Sequence, residues 1–437
     1  MISLPYSKHK RYLSGMDWLL YSLDYQSKKA LGIGTAIQIV LELDSLLDAK
    51  DLEDALKRAA RMFPVLFGTV KRDLNAAPYW DIPKQGEWGI AMDVSRVDSR
   101  DNAMALLYED AHIPWKQARE HVKFHLIHTG ETSTVGAVFD HCLFDDRGAG
   151  LFLDVVHRFL SGQTVSFSSS FAAPPHLSEW GDKFKAGQKV NRLFRQLKEG
   201  DPVLSFDSKV QTKGTRNLFQ LHTFSLQETM AIQQAAEQAA GYLMMNPYLL
   251  AHTARVMKTF YETERKRVGD MVVPVSIDLR KNEEDEIFFN HLSFMFYRIK
   301  STDEADLKNM ISDIKQQMYS QVKQGTLMAL VKASLLMRIA PVWLSNVVMQ
   351  LPFAETPSSF SFAALMKSSY TAAEFGSNPV SNIYHLPRIP LKPGLGIFFT
   401  QYKEKLTLVI SSLECVISGE EMMNITSNLV KSLRRKS

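Results

Sequence analysis

Between His121 and Phe139 the side chains alternate as a half-buried strand pair requires. Val122, Phe124 and Leu126 are apolar, and His121, Lys123 and His125 beside them are polar. A second run, Thr134 to Phe139, follows, and Gly130 with its polar neighbours turns the chain between the two. The pattern predicts an antiparallel hairpin that delivers Asp140-His141-Cys142-Leu143-Phe144-Asp145 at its far end. Gly148 and Gly150 then open a helix with Phe152, Val155, Val156 and Phe159 on its apolar face, and Gly162 stops it. Asp154 and Arg158, four apart, pair on its outer side. A strand end, a short turn and a helix start therefore confine His141 to one kind of place.

The chain is 437 residues long. That is too long for one ordinary core and suits two lobes of about 200 residues each. A hydrophobic share of 45% and a charged share of 22% are those of a globular protein. The net charge of +4 is mild and unclustered, which argues against a nucleic-acid binder. It is ordinary solubility charge, or a weak attraction for a phosphate-bearing donor or an acidic carrier protein. Two cysteines, Cys142 and Cys415, exclude a disulfide framework and a four-cysteine zinc site. Lys8, Lys10 and Arg11 precede no continuous apolar stretch, so no signal peptide is expected. The longest uncharged apolar stretch, Ile339 to Ala354, is broken by Pro341, Asn346 and Pro352. It is shorter than the roughly 20 residues a membrane crossing needs. A cytoplasmic protein without a transmembrane segment is the expectation.

The rest of the chain repeats the mixture of strands and helices. Ile33 to Asp44 reads as a strand. Leu52, Ala55, Leu56, Ala59 and Phe63 give the helix after it an apolar face, and Pro64 ends it. Serines and Pro174–Pro175, then Lys183, Lys185, Lys189 and Arg192, mark residues 166–214 as an interlobe crossover with some helix. Beyond it come a strand at Leu218–Phe224 and a helix capped by Ser225 and Glu228 and ended by Gly241. Asn246 and Pro247 read as the cap and first turn of the next helix. A strand at Met271–Ile277 and a helix at Asp303–Lys323 follow. Strands at Gly396–Tyr402 and Leu406–Ser411 precede a final helix at Glu420–Leu433. The predicted organisation is an N-terminal lobe over 1–165, the crossover over 166–214, and a C-terminal lobe over 215–437.

An imidazole at a strand end titrates near neutral pH and can take a proton from an alcohol, amine or thiol. Cys142 beside it reads as buried packing rather than a nucleophile, because strand-end neighbours point apart. Asp140, His141, Asp145 and Asp146 have ligand chemistry, but no second histidine stands at ligand spacing, so no metal is expected. His121 and His125 share a strand face and His128 lies on the other, which is a polar face rather than a metal set. Met328, Met337 and Met349 read as core packing, with an acyl-pocket lining as the alternative. Lys431, Arg434, Arg435 and Lys436 read as a solvated, frayed basic tail.

His141-Cys142-Leu143-Phe144-Asp145 resembles the H-x-x-x-D signature of the CoA-dependent acyltransferase superfamily. That superfamily includes chloramphenicol acetyltransferase, plant BAHD acyltransferases, condensation domains and wax ester synthases. The resemblance spans nearly the whole chain in order. Asp48 to Phe63, ahead of Pro64, resembles the first helix before "H-P-x-L". Val275-Ser276-Ile277-Asp278-Leu279-Arg280, then Phe288-Phe289-Asn290, resembles the BAHD "V-D-x-R … Y-F-G-N" stretch. Tyr370 and Glu374-Phe375-Gly376-Ser377-Asn378-Pro379 resemble the region around "D-F-G-W-G-K-P". Three departures stand out. Many members carry a second histidine where this chain has Asp140, and glycine where it has Asp146, and the "D-F-G-W-G" motif survives only as Glu374-Phe375-Gly376.

The resemblance implies an α/β fold of two chloramphenicol-acetyltransferase-like lobes with a channel between them. It implies acyl transfer from a thioester, acyl-CoA or an acyl carrier protein, to a small-molecule hydroxyl or amine, in natural-product or lipid biosynthesis. His141 would be the general base. Asp145 would shape the loop, with Arg280 as its partner. Asn290, Glu374 and Gly376 would be supporting residues, the last two at the lobe interface. Ser361 falls where relatives carry a hydroxyl and is the candidate oxyanion donor, the plainer alternative being a serine bonded to strand backbone. No cofactor is implied beyond the CoA or phosphopantetheine of the donor itself. The rival readings are a non-catalytic, condensation-like module that binds a carrier protein, and a metal-dependent hydrolase.

Overall fold

The computed structural model describes residues 9–434 except Asn75, Gln85, Glu87, Lys367 and the segments 166–179, 207–213, 281–286, 302–305 and 339–357. In chain order the first part runs β1 (Lys10–Tyr12), α1 (Gly15–Leu31), β2 (Ala36–Leu43), α2 (Ala49–Met62), β3 (Thr69–Arg72), β4 (Pro78–Asp81), β5 (Ala91–Val97), α3 (Arg100–Asp110), β6 (Val122–Thr129), β7 (Thr132–Asp140) and α4 (Asp146–Leu160). The second part runs α5 (Trp180–Gln196), β8 (Asn217–Thr223), α6 (Leu226–Ala240), α7 (Met245–Glu264), β9 (Met271–Asp278), β10 (Leu292–Ile299), α8 (Leu307–Lys323) and α9 (Thr326–Met337). It ends with β11 (Ser361–Leu365), β12 (Glu374–Phe375), β13 (Asn378–His385), β14 (Leu395–Tyr402), β15 (Lys405–Leu413) and α10 (Gly419–Arg434).

Two six-stranded sheets carry the fold, one in each lobe. The N-terminal sheet has the order β12-β13-β2-β7-β6-β5 and the C-terminal sheet the order β10-β9-β11-β14-β15-β8. The predicted hairpin is present: β6 and β7 pair antiparallel, with Val122 opposite Phe139 and Thr129 opposite Thr132. Its alternation does what the sequence requires. Val122, Phe124, Leu126, Val135, Ala137 and Phe139 face a core shared with α2 and α4. The opposite face meets α3 and, through Phe219 and Val409, the C-terminal sheet. Each sheet thus buries one face under its own helices, as half-exposed alternating strands must.

The lobe boundaries read from sequence are crossed by the structure. β12 and β13, from the C-terminal part of the chain, extend the N-terminal sheet, where β13 pairs with β2. Ile287, Phe288, Phe289, Tyr370 and Phe375 join the same N-terminal core. Local readings also shift. The capping box of Ser225 and Glu228 is formed, but α7 begins at Met245, with Met244 as its cap. Asn246 is therefore inside the helix, and Pro247 is tolerated in its first turn, where no intrahelical N–H is needed. Met328 is 53% exposed on α9 rather than packed in the core. Met349 and the apolar stretch Ile339–Ala354 lie outside the described residues. The basic tail is not frayed as far as Arg434, which ends α10 and pairs with Glu228 at 2.7 Å. Among the described residues no helix is long and apolar enough to cross a membrane.

Candidate functional site

The chain leaves β7 at Asp140 and enters α4 at Asp146, and the turn between is closed by its own first residue. The Asp140 carbonyl accepts the N–H groups of Leu143 and Phe144, each at 3.0 Å. The Asp140 carboxylate accepts the Cys142 N–H at 2.9 Å. His141 rides on this turn, half-buried. Its Nδ1 lies 3.0 Å from the Phe144 carbonyl oxygen. A carbonyl can only accept, so Nδ1 carries the hydrogen and the lone pair is left on Nε2. The turn is also gripped from the other half of the chain. The Asn290 side chain donates to the His141 carbonyl at 3.1 Å, and the Phe289 N–H donates to Leu143. Phe289 is buried with φ 72°, a left-handed conformation that a bulky residue adopts only when its surroundings impose it.

Asp145 is the cap of α4 and accepts the Gly148 N–H at 2.8 Å. Arg280 grips the same carboxylate with two parallel bonds, Nη1 to Oδ2 at 2.9 Å and Nη2 to Oδ1 at 2.7 Å. The His291 N–H adds a bond at 2.8 Å. Both side chains are buried. Burial works against the Arg280 charge, and Asp145 with Asp278 more than restores it, so its pKa is raised. This fork-to-carboxylate pair joins the end of β9 to the start of α4, one lobe to the other.

The two departures from the signature each have a histidine partner. Asp140 Oδ2 lies 2.7 Å from His121 Nδ1, and His121 Nε2 lies 2.9 Å from the Gly68 carbonyl. Burial would raise the Asp140 pKa, but the bond and charge of His121, with Lys28 behind them, hold it down at about 2. Asp140 is thus a carboxylate, both ring nitrogens of His121 face acceptors, and the ring donates from both. Asp146 Oδ1 lies 2.5 Å from His385 Nδ1. Among the described residues His385 Nε2 and Asp146 Oδ2 are buried without a partner, as are Asn290 Oδ1 and Ser369 Oγ. Ser369 packs on α4, its backbone within 2.5 Å of where a Gly150 Cβ would stand. Four unpaired polar atoms thus collect around the first turns of α4, at the seam of the lobes.

Cys142, Asp24 and Asp140 bring one ligand atom each to within 4.8 Å of one another. This donor set does not suit a cation. Lys28 is 2.7 Å from Asp24 and His121 holds Asp140, so the carboxylates are already compensated. Burial, then Asp140 and Asp24, push the Cys142 thiol well above its usual range.

Of the residues singled out from sequence, the structure gathers His141, Asp145, Arg280 and Asn290. Ser361 is not among them. It starts β11, which runs parallel to β9 with Phe362 opposite Val275. Ser361 therefore stands four residues, ~13 Å, back along the sheet from the level of Asp278. Glu374 and Gly376 flank the far end of α4. The Gly376 N–H donates to His157 Nδ1 at 3.0 Å, and Gly376 takes φ 66° against Leu160. His121 was in view as a polar strand residue; its role follows from the hairpin register, which sets it beside Asp140. Nothing local marks His385, which lies 239 residues from Asp146 in sequence.

The described residues line, among other cavities, one of about 580 Å³ between α7 and α10 and one of about 470 Å³ beside Trp88 and His121. Neither reaches His141. No protein-family model matches the sequence, and no curated protein does. Solved structures do match in fold. The first condensation domain of the calcium-dependent antibiotic synthetase superposes with TM-score 0.71 at 14% identity, over 98% of this chain and 96% of that one. The trichothecene 15-O-acetyltransferase from Fusarium sporotrichioides gives 0.70 at 14% identity, over 97% and 95%. The starter condensation domain of rhizomide synthetase gives 0.69 at 11% identity, over 98% and 94%. With two sheet-and-helix lobes meeting at a histidine-bearing turn, the chain shares the fold of these condensation domains and of the trichothecene acetyltransferase.

Proposed function

We propose that the protein transfers an acyl group from a thioester donor, acyl-CoA or an acyl carrier protein, to a hydroxyl or amine acceptor, with His141 as general base. The observation that carries this is the tautomer of His141. Nδ1–H is committed to Phe144, so Nε2 is the acceptor, and no described residue bonds to it. The fold-mates named above are condensation domains and an acetyltransferase, one of them solved with C8-CoA and Leu-SNAC, which supports the same reading.

The steps follow from that geometry. The acceptor O–H or N–H gives its proton to His141 Nε2 while its lone pair attacks the thioester carbonyl carbon. The new C–O or C–N bond forms as the carbonyl electrons move to oxygen. The oxyanion then collapses, the C–S bond breaks, and the leaving thiolate takes the proton back from His141 as free thiol. Phe144 holds the imidazole through this exchange and accepts from its Nδ1–H throughout. Asp145 and Arg280 keep the turn in place without touching the proton. Donors to the oxyanion are worth a few kcal/mol; Ser361, displaced along β11, is not needed by this reading. The unpaired polar atoms at Asn290, Asp146, His385 and Ser369 favour a seam that takes in polar substrate groups or water.

The test is a screen of the purified protein with acyl-CoA donors and mixed alcohol and amine acceptors, reading free thiol and product mass. Acceptor-dependent thiol release that His141→Ala abolishes, with folding intact, is expected. Turnover that survives in His141→Ala would defeat the assignment of the base. Carrier-protein binding without any turnover would favour the docking module instead.

A further inference from the structure

The cavity of about 580 Å³ lies on the outer side of the C-terminal lobe, between α7 and α10. Helical spacing builds it. His252, Arg255, Val256, Thr259, Phe260 and Thr263 recur at three and four residues along α7, and Asn424, Asn428, Lys431 and Ser432 do so along α10. A seam between two packed helices is ordinarily apolar, but here Val256, Phe260 and Ile425 form only the floor.

The polar lining is rich in donors and poor in acceptors. Arg255 is half-buried, and among the described residues its guanidinium bonds only to the Ser432 hydroxyl, at 2.9 Å. Among the described residues Lys431 makes no ion pair and no carboxylate lines the cavity. Asn428 Nδ2 donates to Asn424 Oδ1 at 2.9 Å, and among the described residues the Asn424 N–H₂ group has no acceptor. Thr259 and Thr263 spend their hydroxyl hydrogens on backbone carbonyls of α7. Below Arg255 the Ser432 hydroxyl meets His252 Nδ1 at 2.7 Å. Ser432 accepts from Arg255, and its hydroxyl shares the remaining bond with the imidazole. Nε2 is buried and has no partner among the described residues. His252 is itself only 2% exposed, and burial, then the Arg255 charge, lower its pKa to about 3, so it adds a polar ring edge and no charge. Two cations without an ion pair among the described residues, an amide and a buried neutral imidazole above an apolar floor are complementary to an anion with several acceptor oxygens and an apolar body.

We propose that the α7–α10 cavity binds a small organic phosphate monoester. Its oxygens lie between Arg255 and Lys431, and its ester group lies on Val256 and Phe260. This site is separate from the His141 turn and does not depend on the proposed acyl transfer. Lys431 stands in the last turn of α10, where the helix carbonyls also attract a cation. Arg255, in mid-helix on α7, is therefore the residue that discriminates.

The experiment is calorimetric titration of the full-length protein with phenyl phosphate, and with phenol as the uncharged control. Saturable binding of phenyl phosphate but not phenol is expected, weakening as salt rises. Arg255→Ala should weaken it at least tenfold, Arg255→Lys less, and His141→Ala not at all. Matching thermal midpoints for the Arg255 variants and wild type separate lost binding from lost folding. Equal heats for phenol and phenyl phosphate, no saturation at tens of millimolar, or unchanged affinity in Arg255→Ala combined with Lys431→Ala would each overturn the proposal.

Discussion

Removing the Asp145 carboxylate should be among the most destabilising single changes in the molecule. Three losses combine in Asp145→Ala. The cap bond to Gly148 is worth about 1 kcal/mol. The bond from the His291 N–H loses its acceptor at a buried site. Arg280, whose side chain is only 3% exposed, loses both bonds of its fork, and an unpartnered buried charge costs about 3–5 kcal/mol. Asp278, 3.1 Å from Arg280 and nearly half exposed, restores part of that. The expected net loss is about 4 kcal/mol. Urea unfolding followed by tryptophan fluorescence and by circular dichroism would measure it, the two probes together checking whether the lobes unfold as one unit. A double-mutant cycle with Arg280→Ala isolates the pair, and the coupling should exceed about 1.5 kcal/mol, because removing the second partner after the first relieves the stranded charge. A loss below about 1 kcal/mol in Asp145→Ala, or strict additivity in the cycle, would refute the reasoning that this pair clamps α4 to the end of β9.

Two further outcomes are expected. The Asp140 carboxyl titrates below its unfolded value, so its contribution to stability is present above about pH 4 and is lost as the pH falls towards about 2. The cost of Asp140→Asn, read by urea unfolding across that range, should therefore shrink with acidification, and a constant cost would contradict the His121–Asp140 charge pair. Of the two thiols in the chain, the half-buried Cys415 should react with Ellman's reagent in the native protein. Cys142, buried and pushed towards the thiol form, should react only after unfolding. Rapid native labelling of both would show that the His141 turn opens.

What the sequence makes legible follows the range over which each signal acts. β6, β7 and α4 have strict apolar periods and short connections, so their order and the place of His141 were readable directly. α1 was not, because its buried face carries Asp17, Ser22, Asp24 and Ser27, polar residues that hide the helical period. One of them is satisfied from far along the chain: Asp17 accepts the Asn290 N–H at 2.9 Å across 273 residues. The Asp145–Arg280 pair spans 135 residues. It was accessible only through the resemblance, since neither residue has a local pattern that names the other. Likewise Asp140 and Asp146 look like losses from the signature when read alone. In the folded chain each is matched by a histidine that arrives from another strand.

The loan of β12 and β13 to the other lobe has a mechanical consequence. The backbone travels from the N-terminal lobe to the C-terminal one after α4, returns before β12, and leaves again between β13 and β14. Two halves stitched three times along one seam cannot drift apart as beads on a string do. Severing the chain near α5 would likewise not release a free-standing front half. β2 would lose the neighbour that covers its edge, and a bare strand edge of that length invites other chains to pair with it.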